Sequence, residues 1–437
     1  MIKKRTKLNW RRLDNSAKIF PIAAGRKYST VFRFSVLLKE NVNEKELEKA
    51  VNIVIERYKS FKVKMIEGFF WYYFEENTKK ILVEEEKDYP CKYIDPKKNR
   101  EYLFKITYYK SKINIDIFHS LTDGNSGMIF FKEIIYTYLE LTHSDILNEE
   151  ERKLRKIEDD FNTEDSYIQN YNKNIKSKNK NIKAYTLRGR KIGLNAKSVI
   201  HQIIDLNELK KETKKYNITI TGYLTAVLIY SIYKENFLKY KKENKKPIKI
   251  CIPVNLKKYF DSKTLSNFFS YITLEADMKI MNQFDEIIEF VKKEFVEKLK
   301  QEEIIKTMST NVKIGINPVL RLVPLMLKKV LVRLTYLEIR KYTTTTFSNI
   351  GRIGIIGKYQ SYIQYFMMMI APEPIEKIKC SSCSFGNKIV FTFTSILKDN
   401  SIEKCFYEFL LDRKIDVKIE SNGVLNDISE KNKYSQK

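Results

Sequence analysis

The sequence predicts an α/β (α+β) fold of two lobes, each a mixed sheet flanked by helices. Three observations carry that expectation. The chain has 437 residues, more than one ordinary core holds and suited to two domains of roughly 200 residues each. Strand-like and helix-like runs alternate at both ends of the chain. Between them, residues 166–197 turn to Asn, Lys, Ser and Tyr with little apolar periodicity, a composition that cannot bury a face. The expected organisation is an N-terminal lobe over 1–170, a polar linker over 171–197, a C-terminal lobe over 198–425 and a disordered tail over 426–437.

In the first lobe Tyr28 to Leu38 reads as a strand, and Glu44 to Tyr58 as a helix with Leu47, Val51 and Val54 at helical spacing. Strand-like runs follow at Phe61 to Met65, Phe69 to Phe74, Leu103 to Tyr109 and Lys112 to His119, and a helix from Gly124 to Leu141 closes the group. The second lobe opens with a strand at Val199 to Leu206, a helix from Thr221 to about Tyr240, and strands at Ile248 to Val254 and Phe268 to Ala276. Helices over Phe284 to Leu299 and Leu320 to Ile339 come next. Strands at Tyr342 to Ser348, Gln360 to Ile370, Ile375 to Ser384 and Lys388 to Ile396 then lead to a helix at Ser401 to Leu411.

Composition narrows the function classes. The start of the chain lacks the apolar core of a secretory signal, and the apolar runs are far shorter than the roughly 20 residues a bilayer requires, so a soluble, cytoplasmic, monomeric protein is expected. The five cysteines are too few and too dispersed for a disulfide framework. Cys380 and Cys383 form a C-x-x-C without a second pair or a nearby His, in strand-like sequence, so no metal site is expected. The formal charge of +27 suits an anionic partner. Because Lys is spread through nearly every segment, a solvated surface is expected rather than a nucleic-acid site. Peripheral membrane contact is an alternative for Leu320 to Leu334, where Arg321, Lys328, Lys329 and Arg333 stand among apolar residues. That stripe is expected to pack inside the second lobe.

The informative segment is His119-Ser120-Leu121-Thr122-Asp123-Gly124, between a predicted strand and a predicted helix. Ile113, Ile115 and Ile117 alternate with Asn114, Asp116 and Phe118, and His119 continues the Ile face, which should point inward. After the motif, Met128, Phe131, Ile135 and Tyr138 recur every three or four residues, so the chain leaves the strand through Asp123-Gly124 and enters an amphipathic helix. An imidazole at a strand end has a rigid backbone and room in front of it. The same residues also fit a hydrogen-bonded core histidine followed by an ordinary Asp-Gly turn.

H-x-x-x-D-G is the signature of the acyltransferase superfamily of chloramphenicol acetyltransferase, plant acyltransferases and peptide-synthetase condensation domains, which this chain resembles. In the same order, Ile252-Pro253-Val254-Asn255-Leu256-Lys257 looks like the family's P-V-[DN]-L-R segment, with Asn267-Phe268-Phe269-Ser270 at the turn that follows it. Phe347-Ser348-Asn349-Ile350-Gly351 is similar to the S-N-x-G segment of the alcohol acetyltransferase-like branch. The resemblance implies two similar lobes with an active-site tunnel between them. Phe118 stands where condensation domains carry a second histidine, which favours the acyl-CoA-dependent branches. Lys257 replaces the Arg of many relatives, and the plant D-F-G-W-G segment has only Ser384-Phe385-Gly386-Asn387 in its place.

The resemblance further implies that His119 is the general base for a hydroxyl acceptor attacking an acyl-CoA thioester, without a covalent acyl-enzyme. Gly124 belongs to the catalytic loop. Asp123 would be structural and pair with Lys257 across the lobes, while Ser348, Asn349 and Gly351 are candidates for the oxyanion or substrate site. Read from its residues alone, Ser348 to Gly351 is equally a turn between strands. No bound cofactor or metal is expected, acyl-CoA being a co-substrate and the partners a small acyl donor and acceptor. Rival chemistries fail: Gly351, Gly354, Gly357 and Lys358 are misspaced for a phosphate loop and end in Tyr359, and Gly124-Asn125-Ser126-Gly127 is not a nucleophile elbow. His143 and His201 read as surface or structural residues. A carrier-dependent condensation-like domain and a non-catalytic basic surface-binding protein are the alternatives.

Overall fold

A computed structural model describes residues 10–144, 153, 161–173, 182–193, 196–243, 246–279 and 281–424. The expected tail at 426–437 lies outside the described residues, as does part of the expected linker.

Two large mixed sheets organise the chain. The first has the strand order Ile363–Ile370, Val31–Leu38, Lys112–Phe118, Phe104–Tyr109 and Glu84–Glu85, antiparallel apart from the last pairing. The second has seven strands, Phe269–Ala276, Ile248–Asn255, Thr345–Arg352, Ile378–Phe385, Lys388–Ser395, Ser198–Asp205 and Val417–Ser421. Thr345–Arg352 pairs in parallel with both of its neighbours. A smaller sheet joins Trp10–Arg12, Tyr72–Glu76 and Val63–Glu67.

The lobes interlock, which the sequence boundaries do not convey. Ile363–Ile370 falls within the expected C-terminal lobe yet pairs with Val31–Leu38 in the first sheet. Its apolar run, buried along almost its whole length, is what a strand covered on both faces needs. Its other face lies on the second sheet, where Ser381 Oγ donates to the Met368 carbonyl at 2.6 Å and Cys383 Sγ to that of Phe366 at 3.3 Å. A polar linker over 171–197 is likewise corrected: Ala184, Tyr185, Leu187 and Ile192 are buried. Tyr185 donates to Asn236 Oδ1 at 2.7 Å.

Local sequence explains the elements that frame the site. Asn43 caps the helix Glu44–Arg57, accepting from the Glu46 N–H, and Leu47, Ala50, Val51, Val54 and Ile55 form its buried stripe. That stripe packs on the helix Gly124–Thr142, and Tyr138 Oη accepts from the Asn43 N–H at 2.9 Å. The predicted long helix at Thr221 is shorter, Ile220–Ile232, and continues as a π turn over Tyr233–Phe237. Two helices, Leu206–Lys215 and Gln301–Gly315, and the strand Val417–Ser421 go beyond the sequence reading.

Lys112–Phe118 is not half-solvated as its alternation implies. Asn114 and Asp116 are buried too, because Arg33 covers that face, donating from Nε to Asp116 Oδ1 at 2.9 Å and also pairing with Glu86. The helix Leu325–Ile339 departs in the opposite sense. Its apolar stripe does not pack inside the second lobe; Met326, Leu327, Val330, Leu331 and Leu334 face solvent, and Leu325, Lys328 and Tyr336 form the buried side. Among the described residues no helix is long and apolar enough to cross a membrane.

Candidate active site

The motif lies where the two lobes meet. Lys112–Phe118 ends one residue before His119, whose N–H still donates to the Thr30 carbonyl at 3.0 Å, so sheet geometry holds the histidine backbone. The following turn is tied to other parts of the chain. Ser120 Oγ donates to the Ala17 carbonyl at 3.2 Å and Thr122 Oγ1 to the Leu265 carbonyl at 2.7 Å. Asp123 then caps the motif helix, accepting from the Ser126 N–H at 2.9 Å, which satisfies a donor that the first turn would leave unpaired.

Asp123 also clamps the lobes together. Its Oδ2 accepts from the Phe268 N–H at 2.9 Å and lies 3.2 Å from Lys257 Nζ, whose ammonium also reaches Ser126 Oγ. Burial opposes ionisation of this carboxyl, but Lys257 and the two backbone N–H groups outweigh it and hold Asp123 below the usual carboxylate range. Gly124 begins the helix. A Cβ there would sit 2.8 Å from Ile350 Cδ1, so the missing side chain lets the second lobe's strand approach the motif helix.

The imidazole is partly exposed and walled by aromatics. Phe20 stacks on it with centroids 4.5 Å apart and planes 16° from parallel, while Phe32 and Phe269 stand at 5.1 and 5.3 Å. Burial against these rings lowers the His119 pKa from its ordinary value, more than its own carbonyl, Asp123 and Asn267 raise it. The ring is therefore neutral at pH 7, as a general base must be.

Its tautomer follows from a relay the sequence did not reveal. His119 Nδ1 lies 3.1 Å from Asn267 Oδ1. Asn267 donates its Nδ2 to Asp14 Oδ2 at 3.0 Å and its N–H to the same oxygen at 3.1 Å. Asp14 is fixed in turn by the Ala17 N–H and Ser16 Oγ, at 2.8 and 2.9 Å from Oδ1. A carboxylate accepts only, so Asn267 must present its NH₂ to Asp14 and its carbonyl oxygen to the ring. Nδ1 then carries the proton and Nε2 keeps a lone pair.

The other expected site residues divide. Asn349 is committed elsewhere: Nδ2 donates to Thr221 Oγ1 and Oδ1 accepts from the Gly351 N–H, both at 2.8 Å. Gly351 takes φ +83° at a register shift in the strand, a left-handed position that favours glycine. Ser348 to Gly351 therefore forms a bulge whose Ile350 reaches the motif helix. Among the described residues no hydrogen bond joins Ser348 or Asn349 to the His119 ring. Cavities of about 350 and 290 Å³ are lined by other residues, the first by His143 and Tyr362 among others, the second by Gln202 and Tyr407.

The remaining candidates are structural. His143 stacks on Tyr362 at 4.1 Å, and His201 Nδ1 lies 2.9 Å from Thr392 Oγ1, with burial taking its pKa down to about 4. Cys380 and Cys383 are three apart in one strand, so they point to opposite faces and fall in different cores. Burial pushes the Cys383 thiol up to about 12. Among the described residues no three His, Cys, Asp or Glu side chains group as metal ligands do.

No family model matches the chain, and no curated protein matches its sequence. Solved structures do match its fold. A trichothecene 15-O-acetyltransferase from Fusarium sporotrichioides aligns with a TM-score of 0.60 over 93% of this chain and 95% of its own, at 9% identity. A second F. sporotrichioides protein, solved with coenzyme A and T-2, gives a TM-score of 0.60 over 91% and 96%, also at 9% identity. The wax ester synthase/diacylglycerol acyltransferase of Marinobacter aquaeolei gives 0.55 over 92% and 100%, at 12% identity. The chain therefore shares the fold of these solved structures.

Proposed function

We propose that the protein is an acyltransferase that moves an acyl group, acetyl in the first instance, from a coenzyme A thioester to a hydroxyl acceptor. The observation that carries this reading is the relay Asp14–Asn267–His119, which leaves a neutral imidazole with a free Nε2 at the junction of the lobes. Two of the fold neighbours are named as acyl-transferring enzymes and another was solved with coenzyme A.

In the proposed step the acceptor oxygen bonds to the thioester carbonyl carbon while its proton passes to His119 Nε2. Collapse of the tetrahedral intermediate breaks the carbon–sulfur bond, and the imidazolium returns the proton to the departing thiolate, giving an ester and a free thiol. Nδ1–H donates to Asn267 throughout, so the charged ring keeps an acceptor at 3.1 Å. Asp123 acts by position, joining the motif helix to Lys257 and the Phe268 backbone. Ser348 is retained as a candidate donor to the oxyanion, since Asn349 is engaged with Thr221 and Gly351.

The test is release of free thiol from acetyl-CoA and longer acyl-CoAs with a panel of alcohols, sugars and lipid hydroxyls. Acceptor-dependent release supports the reading. A strict requirement for acyl groups on a carrier protein would replace it with the condensation-like alternative, and no transfer from either donor would remove it.

A further inference from the structure

The helix Leu325–Ile339 and the short helix Pro318–Leu322 before it display an apolar face to solvent. Leu322, Met326, Leu327, Val330, Leu331 and Leu334 are all exposed, Leu322 to 75% and Met326 to 82%. The spacing of Met326, Val330 and Leu334, and of Leu327, Leu331 and Leu334, puts these five on one side of the helix Leu325–Ile339, with Leu322 on the short helix before it. Clustered exposure of this kind marks an interaction surface, whereas isolated surface leucines do not.

The face continues onto a hairpin tip. Phe69 and Phe70 are exposed beside it, with the Leu325 N–H donating to the Phe69 carbonyl at 2.8 Å and Lys328 Nζ to that of Phe70 at 3.0 Å. The helix is held firmly from behind. Lys328 Nζ sits 4.0 Å from the centre of the Trp71 ring, Tyr336 Oη donates to Glu373 Oε1 at 3.1 Å, and Arg340, one residue past the helix, pairs with Glu373 and Glu376. The apolar residues therefore face outward on an anchored helix.

Charge decides what the face meets. Exposed Arg12 and Arg321 both lie close enough to act on Lys18, which also feels Asp165 and Asp14, at one end, and exposed Arg333 stands toward the other. Two neighbouring carboxylates are paired, Glu67 with Lys329 at 2.6 Å and Glu338 with Lys341 at 2.6 Å. An apolar face rimmed by cations on a chain of formal charge +27 repels a second copy of itself and attracts an anionic surface. A 15-residue helix is about 22 Å long, too short to span a bilayer but able to lie in its plane.

We propose that this surface docks the protein on anionic phospholipid membranes, the helix lying flat with Phe69 and Phe70 inserted beside it. The proposal does not rest on the acyl-transfer reading. Its geometry bears on the site all the same, because the docked helix packs against Phe20–Ala23, whose Phe20 covers His119.

The experiment is co-sedimentation of the purified chain with phosphatidylcholine vesicles, with or without phosphatidylglycerol, across a salt series, alongside light scattering of the free protein. Wild type should pellet with anionic vesicles at low salt and less as salt screens the contact. Met326→Asp/Val330→Asp/Leu334→Asp should cut the partition coefficient about tenfold or more, and Arg321→Ala/Arg333→Ala by several-fold with a shallower salt dependence. Circular dichroism and thermal melting confirm that both variants fold. Three results would each overturn the proposal: no pelleting of wild type at low salt, pelleting insensitive to the apolar triple, or a solution dimer that the triple dissociates. Thiol release with soluble substrates, unchanged in the triple, keeps this test separate from that of the proposed activity.

Discussion

Asn267→Ala probes the relay without touching the base. The substitution removes the acceptor 3.1 Å from His119 Nδ1 and the donor 3.0 Å from Asp14 Oδ2, leaving Asp14 the Asn267 backbone N–H. A net hydrogen bond contributes about 0.5–1.5 kcal/mol, and one to the charged ring formed during attack lies at or above the upper end. Since about 1.4 kcal/mol is tenfold in rate, kcat/KM for acceptor-dependent thiol release should fall about tenfold to thirtyfold while Nε2 remains available. The pH profile separates this from a general loss of structure. Asn267 raises the His119 pKa against the burial that lowers it, so its removal lowers that pKa further and moves the acid limb of kcat/KM to lower pH. Activity within about twofold of wild type with an unmoved limb would refute the relay, because a hydrogen bond of that size cannot then be acting on the ring.

Phe20→Ala should have the opposite pH effect: water admitted to the ring relieves the burial that lowers its pKa, so the His119 titration followed by NMR should move up toward the ordinary histidine value. Asp123→Ala takes the counter-charge from Lys257, which keeps only Ser126 Oγ, and leaves the Ser126 and Phe268 N–H groups without their acceptor, so denaturant unfolding should show a loss of about 3–5 kcal/mol. Because the folded-state pKa of Asp123 is depressed, its contribution is full above the unfolded carboxylate value and is lost as pH falls through the folded one. Stability curves of wild type and Asp123→Asn should therefore converge in acid and diverge toward neutral pH. Gly124→Val must displace Ile350 and should cost about 1–3 kcal/mol, measured the same way.

Features with local causes were readable from sequence. The strand before His119 and the helix after Asp123 followed from periods of two and three to four, whereas the pairing of Asp123 with Lys257, 134 positions away, was implied only by the family resemblance. Features set by distant chain were not. Asp14 and Asn267 are 253 positions apart; Asn267 opens the family-like turn segment, but Asp14 belongs to no motif, so nothing in the sequence singled them out as a pair. Phe20 over the imidazole is the same kind of contact. Ile363–Ile370 was visible as a strand, but its hydrophobic run could not say which sheet it joins. The helix Leu325–Ile339 is apolar around most of its circumference, so periodicity could not choose its buried side. Tyr336, Arg340 and their buried carboxylates made that choice.

The account depends most on His119 as the proton acceptor, and the most direct measurement is ester formation by mass spectrometry, from acyl-CoA and a hydroxyl acceptor, in wild type and His119→Ala. The alanine protein, shown by melting to be folded, should form ester more slowly by about 10²- to 10⁴-fold. Ester formation at the wild-type rate in that variant would contradict the mechanism.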